Sequence, residues 1–327
     1  MRNLIFLSIG FINIKILLLL SMENKKNFFI LIVNWNGYDD TVECLNSLNN
    51  LSAEEFQTIV VDNGSSVDSY LLLKKNFPNI KIFRSETHLG FSGGNNLGIK
   101  LALQNKADYI LLLNNDTVVE PNFISQLLRV FELDENTGIA SPKINYYDSP
   151  DIVWSAGGRI SKIRGSGFAL GNIKSDSISE EIKEVSFVSG CCMLIKKEVF
   201  DKVGFLDDDF FLYLEDTDFC IRVRDAGFKI FVANKSVIYH KVSKSTIKLE
   251  KPVSLYYTTR NRLLLVRKHF KAYLPVTFIY IALTMSLKSL YWIFVGKRNN
   301  GKAVFHAIKD FLRNKKGKID EKTYGKL

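Results

Sequence analysis

Between residues 28 and 113, short runs of aliphatic and β-branched residues alternate with stretches of helical periodicity, the pattern of a parallel sheet with helical crossovers. Four runs predict strands, at Phe28–Asn34, 58–62, 80–83 and 109–113, each apolar enough to be buried on both faces. Sheets of this class bind ligands past the carboxyl ends of their strands. Three of those ends are polar in the same way: Asn34-Trp35-Asn36-Gly37, Asp62-Asn63-Gly64-Ser65-Ser66 and Asn114-Asn115-Asp116-Thr117. Any one of them reads as an ordinary turn. Three together predict a site.

Residues 121–183 are looser, with Gly157, Gly158, Gly165 and Gly167 around Trp154, and predict either a loop-rich acceptor region or a connecting hairpin. From 186 to 230 the pattern tightens. A turn at Ser189-Gly190 leads into an apolar strand at 192–195, then into a short helix at 198–203 stopped by Gly204. Asp207, Asp208 and Asp209 precede an aromatic run, after which Glu215, Asp216 and Asp218 open a helix that Gly227 ends.

The chain is 46% hydrophobic, which excludes disorder and suits a folded enzyme core. Its formal charge of +10 suggests nucleic acid only until it is located: residues 296–327 hold ten Lys or Arg against three Asp or Glu, a net +7. No nucleic-acid-binding module is recognisable, and the basic excess adjoins an apolar run, so nucleic acid is not an expected partner.

Two apolar segments call for a membrane. Residues 4–20 are broken only by Lys15, and 273–295 carry the single charge Lys288 over a length near the roughly 20 residues that span a bilayer. Met22 directly precedes the polar start of the α/β unit, so the first 21 residues are either an N-terminal anchor or an upstream start-codon extension. A cleaved signal peptide fits poorly, because no small-residue cleavage site follows Leu20. A spanning 273–295 would put the basic tail on the side opposite the globular part, against the positive-inside tendency. An interfacial or hairpin arrangement on the membrane is expected, aided by Tyr291 and Trp292; a helix buried on the globular domain is the alternative.

Four cysteines, Cys44, Cys191, Cys192 and Cys220, lack metal-site spacing and read as buried thiols of a reducing compartment. Asp116, directly after a buried strand, suits a hard divalent cation. Asp62 suits a hydrogen bond to a base or ribose. Asp216 is the candidate general base, although helix capping is an alternative for it and for Glu215 and Asp218. His240, at the end of the apolar run 237–239, either completes a metal site with Asp116 or is structural. Gly90, Gly93, Gly94 and Gly98 follow the third strand and not the first, which argues against a dinucleotide-binding fingerprint.

The runs ILIVNWNGYDDTVECLNSL, VVDNGSS, HLGFSGGNNLGI, LLLNNDT, VSGCCMLIKKEVFDKVGFLDDDFFLYLEDTDFCIRV and YHKVSKS, in this order over about residues 28–267, resemble glycosyltransferase family 2, in particular its rhamnosyltransferase-like branch. The resemblance implies a GT-A fold: an α/β, Rossmann-like, mostly parallel central sheet flanked by helices, here followed by a helical membrane-associated C-terminal region. It implies inverting transfer from a nucleotide-sugar donor and a divalent cation, Mg²⁺ or Mn²⁺. It assigns Asp62 and the Asn34 to Asn36 loop to the nucleotide, Asn95 to the neighbourhood of the donor, and Asp116 and His240 to the metal. Glu215-Asp216 matches the family's ED pair, whose Asp is the base, and Trp154 falls where acceptor contacts occur. The family's Asp-x-Asp is Asn114-Asn115-Asp116 here, so an amide replaces the first acid beside the donor. Arg260-Asn261-Arg262 is expected either to neutralise diphosphate charge or to lie at the membrane surface.

Four regions follow from this reading. Residues 1–24 form a hydrophobic extension or anchor, 25–118 the nucleotide-sugar half, 119–250 the acceptor and catalytic half, and 251–327 the basic helical region. The expected acceptor is a saccharide or lipid-linked saccharide, and the expected location is the cytoplasmic face of the cell membrane. A non-catalytic sugar-nucleotide-binding scaffold is the alternative, and oligomeric state is left open.

Overall fold

Strand β1, Phe28–Asn34, presents large apolar side chains to both sides of a sheet, and its alternate residues enter two separate cores. Phe29 and Leu31 join one core with Ile59, Val61, Ile110 and Leu112. Phe28, Ile30 and Ile32 join the other with Val60, Leu111 and Leu113. The computed structural model describes residues 26–51, 55–66, 68–241, 251–320 and 325, so the 4–20 segment lies outside the described residues.

After β1 come α1 (Tyr38–Leu48), β2 (Gln57–Asn63), α2 (Ser69–Asn76), β3 (Lys81–Ser85), α3 (Gly90–Gln104) and β4 (Tyr109–Asn114). Strand β1 pairs in parallel with both β2 and β4, and β2 with β3. The chain thus leaves β1 to one side, reaches β3, and returns to the other side at β4. That reversal opens a crevice at the carboxyl ends of β1 and β4. Helix α3 covers one face through Ile99 and Ala102, while Cys44, Leu45 and Leu48 of α1 cover the other. Gly98 lets α3 approach β1 closely, because a Cβ there would lie 1.9 Å from Leu31 Cδ1.

The second half runs β5 (Thr117–Val119), α4 (Phe123–Leu133), β6 (Thr137–Tyr146), β7 (Val153–Ser155), β8 (Gly158–Ser161), β9 (Ser166–Ala169), β10 (Ile182–Val185), β11 (Cys192–Lys196), α5 (Lys197–Val203), α6 (Glu215–Asp225) and β12 (Lys229–His240). The main sheet has the order β10-β12-β6-β11-β4-β1-β2-β3, with β5 on β12 and β7 on β6. Strand β11 pairs antiparallel with β4, so the two expected halves share one sheet.

Two expectations need correction. The sequence predicts a strand buried on both faces at 80–83, whereas β3 is the half-exposed edge of the sheet, with Lys81, Phe83 and Arg84 exposed. The 121–183 region is less loop-rich than its glycines suggest, since it opens with α4 and with the ten-residue strand β6 inside the sheet. The glycines cluster later, around the β8–β9 hairpin. All four cysteines are buried and free, as expected.

Helices α7 (Pro252–His269), α8 (Leu274–Phe294) and α9 (Arg298–Leu312) follow. Leu263, Leu264, Ile281 and Phe311 join these helices to Phe210 and Ile221 in a core of their own. Among the described residues, the segment Lys271–Phe294 is the one long and apolar enough to cross a membrane.

Candidate active site

Each of the three polar strand ends is tied to the next by asparagine. Asn34 is fully buried; its Nδ2 donates to Asp62 Oδ2 at 2.8 Å and to Ser69 Oγ at 3.1 Å, and its Oδ1 accepts from the Gly37 amide and the Thr41 hydroxyl. Asp62 is equally buried, and its Oδ2 also accepts from Ser65 Oγ and Ser69 Oγ. Asn36 holds a left-handed backbone (φ 53°), and its Oδ1 accepts from the Ser66 amide and hydroxyl. Asn115 Nδ2 donates to Gly37 O and Thr41 Oγ1, joining the β4 loop to the β1 loop. The residues expected to touch the nucleotide are therefore, in this structure, the ones that fix its loops. Loops pinned in this way need little ordering when a ligand arrives.

Asn114 ends β4 with its amide bonded to Cys191 O at 2.9 Å. Two residues on, Asp116 meets His240 from the neighbouring strand β12, with Oδ1 3.1 Å from Nε2. Thr117 and His240 are register partners, which fixes that meeting through the backbone. Trp154 packs edge-on against the imidazole at 4.5 Å and 70°, and Cys191 adjoins the same ring. Burial opposes charge on His240, but the Cys191 sulfur and the Asp116 carboxylate outweigh it and raise the pKa.

The acid pair opens α6. Asp216 Oδ2 accepts from the Gly190 amide at 3.1 Å, and its Oδ1 accepts from the Thr217 amide and hydroxyl. Burial pushes its pKa up, and those backbone hydrogen bonds oppose the shift only in part. Gly190 and Cys191 are adjacent, so one turn contacts Asp216 through its first residue and the Asn114 amide and His240 through its second. The expected base and the expected metal pair are thereby brought to the two sides of a single turn.

Glu215 is 5% exposed and its Oε2 lacks a hydrogen-bond partner. Burial, and then the Asp216 charge, lift its pKa well above the ordinary carboxylate value. Above about pH 4.3 the unfolded chain releases this proton while the folded chain keeps it, so the group's contribution to stability falls as pH rises toward the folded pKa. Glu215→Gln imitates the protonated acid. Urea unfolding at about pH 5 and about pH 8 is expected to show the variant gaining on the parent at the higher pH; a constant difference would mean that Glu215 is charged in the fold. Asp218 is different. Burial alone would raise its pKa, but His269, Arg222 and Lys268 prevail and hold it at about 2. It ties α6 to α7 and belongs to the framework, with contacts of 2.7 Å to His269 and 2.8 Å to Arg222.

Asn95, expected near the donor, is buried and donates to Phe91 O within its own helix. Its neighbour Asn96 makes the longer reach, donating to Leu206 O and to Asp208 Oδ1. Helix α3 also supports the acid loop at its first residues: Gly90 has φ 76°, a Cβ on it would lie 2.2 Å from Phe211 O, and the Phe91 amide donates to that same oxygen.

Within Arg260-Asn261-Arg262 the first two side chains turn into the protein. Arg260 and Asn261 are fully buried under the loop that leads into Glu215. In that loop Phe211, Tyr213 and Leu214 all have left-handed backbones, with φ of 62°, 68° and 70°. Side-chain-bearing residues adopt this conformation at a cost, and persist in it only where the surroundings enforce it. Asn261 Nδ2 enforces it here, donating to the carbonyls of Phe210, Leu212 and Tyr213 at 2.8, 2.9 and 2.8 Å. Arg260 donates to Phe210 O and Gly317 O, and Arg262 to Arg164 O. Asn261→Ala removes all three hydrogen bonds, taking this donor from the part-buried carbonyls of Leu212 and Tyr213, and is expected to cost about 2 kcal/mol in urea unfolding. A displaced Asp216 should lower kcat by about tenfold to a hundredfold as well. Full activity in this variant would show that the loop holds its shape unaided.

The sequence places Asn115 in a polar strand end and Asn261 in a basic run, but does not show that these residues and Asn96 hold the loops of the site together. A signal was present for two of them, since Asn96 and Asn261 sit inside helices, where asparagine is a poor choice unless its amide bonds elsewhere.

Comparison with known proteins agrees with this architecture. The glycosyl transferase family 2 model matches residues 29–204. The low-salt glycan biosynthesis hexosyltransferase Agl10 of Haloferax volcanii is 28% identical over 236 residues, 72% of this chain and 74% of the relative. The dTDP-rhamnosyl transferase RfbF of Shigella flexneri is 25% identical over 269 residues, 75% of this chain and 81% of the relative. Among solved structures, GalNAc-T7 with UDP, GalNAc and Mn²⁺ superposes with a TM-score of 0.59 at 15% identity, over 90% of this chain and 57% of that one. The shared fold is GT-A, with the mostly parallel sheet and its carboxyl-edge crevice as described. On the family match over more than half its length, this chain belongs to glycosyltransferase family 2 and is a glycosyltransferase.

Proposed function

We propose that the protein transfers a sugar, with inversion, from a nucleoside-diphosphate donor to a hydroxyl of a saccharide or lipid-linked saccharide, in cell-surface polysaccharide synthesis at the cytoplasmic membrane face. The observation that carries the reading is the turn at Gly190 and Cys191, which holds Asp216 on one side and the Asn114, Asp116 and His240 group on the other. Donor activation and acceptor activation need two such centres within reach of one anomeric carbon.

In this reading the loops pinned by Asn34, Asn36 and Asp62 receive the nucleotide, and Asn95 and Asn114 lie along the donor. Asp216 takes the proton of the acceptor hydroxyl. The freed oxygen bonds to the anomeric carbon as the bond from that carbon to the diphosphate oxygen breaks, and the electron pair leaves with the diphosphate. Asp216 accepts hydrogen bonds from Gly190 and Thr217, which fix its orientation without protonating it. Burial raises the Glu215 pKa, which opposes a second negative charge beside Asp216.

A divalent cation fits beside Asp116 and His240. Asp116 Oδ1 and His240 Nε2, 3.1 Å apart, would supply two ligands once the imidazole gives up its proton, and among the described residues no group of three His, Cys, Asp or Glu side chains could hold a metal by itself. A bound Mg²⁺ or Mn²⁺ would offset the charge of the departing diphosphate. The likeness to RfbF supports a dTDP donor carrying L-rhamnose. The test is release of nucleoside diphosphate from a panel of sugar nucleotides, with Mg²⁺, Mn²⁺ or EDTA and with saccharide and lipid-linked acceptors. Cation-dependent turnover of one donor supports the reading; donors that bind but never turn over with any acceptor favour the non-catalytic scaffold.

A further inference from the structure

We infer that α8 lies in the plane of an anionic bilayer, on the catalytic domain's own side, with one apolar stripe among the acyl chains and the basic residues of α9 at the headgroups. This deepens the membrane location proposed above and rests on it. The stripe is Val276, Ile279, Leu283, Leu287, Leu290 and Phe294, whose spacings of three and four keep all six on one helical face. Every one is at least 49% exposed, and Phe294 reaches 90%. The opposite face is committed to protein: Thr277, Ile281 and Trp292 are buried, and Thr277 Oγ1 donates to Lys162 O.

A spanning helix is incompatible with what flanks α8. At about 1.5 Å per residue its 21 residues would carry α9 roughly 30 Å away, to the far side of a bilayer. Instead α9 and the segment after it return to α7, which precedes α8. Tyr256 donates to Asp310 Oδ2 at 2.9 Å, Arg267 to Asn314 Oδ1 at 2.9 Å, and Arg260 to Gly317 O at 2.8 Å. Both ends of α8 are therefore anchored to one body, which leaves it lying along that body with its stripe outward. The same contacts put the basic tail on the catalytic side, as the positive-inside tendency requires.

Charge selects the occupant of the stripe. Helix α9 adjoins α8 where Gly301 approaches Ser289, and Arg298, Lys302, Phe305, Lys309 and Leu312 follow one another along it at spacings of four and three. Phe305 and Leu312 are 64% and 68% exposed. Apolar and basic residues interleaved beside an apolar stripe match an anionic lipid surface. A second copy of the chain would set this net +7 segment against itself.

The test uses the full chain in flotation with phosphatidylcholine vesicles, with and without phosphatidylglycerol, beside Leu283→Ser/Leu287→Ser/Leu290→Ser and Arg298→Glu/Lys302→Glu variants. The parent is expected to float with anionic vesicles, the triple variant to lose about tenfold or more in partitioning, and the charge variant to lose its preference for anionic lipid. A C-terminal tag on vesicle-bound protein should stay open to external protease. Four results overturn the inference: unchanged flotation of the triple variant, equal binding to neutral vesicles, a protected tag, or a dimer that the triple variant splits without any lipid binding. Flotation is read without turnover. A chain that floats but transfers nothing sinks the proposed reaction alone, and one that transfers but does not float sinks this inference and the membrane location while leaving the reaction standing.

Discussion

Asp216→Asn is expected to lower kcat by about 10²- to 10⁴-fold, the range associated with removing a positioned general base. The replacement amide keeps the shape, and its carbonyl oxygen can still accept from Gly190 or Thr217, so the fold and donor affinity should be retained within about twofold. That split identifies a base, because a residue that merely caps α6 would cost stability and leave turnover intact. The parent's pH profile carries the same signature. Burial raises the Asp216 pKa, and the base works only when deprotonated, so kcat/KM should rise with pH along a limb above the ordinary carboxylate value of about 3.9. Measuring nucleoside diphosphate release and donor binding side by side for parent and variant settles the point; normal turnover in Asp216→Asn would remove the residue from the mechanism.

The second large effect is expected at Asp116. Asp116→Asn removes the carboxylate that faces His240, and turnover should fall about 10²- to 10³-fold, the scale of losing one strong electrostatic partner of a leaving group. Excess Mn²⁺ should recover part of the loss through tighter loading, whereas Asp216→Asn should not respond to it. His240→Ala should resemble Asp116→Asn in this response. A metal-independent parent with an unimpaired Asp116→Asn would reduce the pair to a strand-end hydrogen bond.

Much of the first half was legible because its physics is local. Strands β1, β2 and β4 are apolar on both faces, and their polar ends stand out against those runs. Strand β3 misled for an equally plain reason: Ile80, Ile82 and Phe83 look like a core strand, but topology puts them at an edge, and edge position is not written in four residues. Asp116 and His240 were readable as separate candidates. Their pairing was not, since it depends on β5 and β12 meeting in register across more than a hundred residues.

The Arg260-Asn261-Arg262 run shows the limit most clearly. As sequence it advertises exposed charge; as structure Arg260 and Asn261 are buried and answer the unpaired carbonyls of a strained loop fifty residues away. Backbone strain at Phe211, Tyr213 and Leu214 leaves no compositional trace, because nothing in those residue types demands a positive φ. The exposed stripe on α8 has the converse history. Its period is written in the sequence, but that α7 and α9 leave this face uncovered is not.

The claim on which the rest depends is a single displacement at the anomeric carbon with Asp216 as base. The most direct measurement is the anomeric configuration of the first-formed product, read by proton NMR of the linkage made from the donor that turns over. The account predicts a configuration opposite to the donor's. Retention would require two displacements or frontside attack, and would contradict the assignment of Asp216 whatever its variants did to the rate.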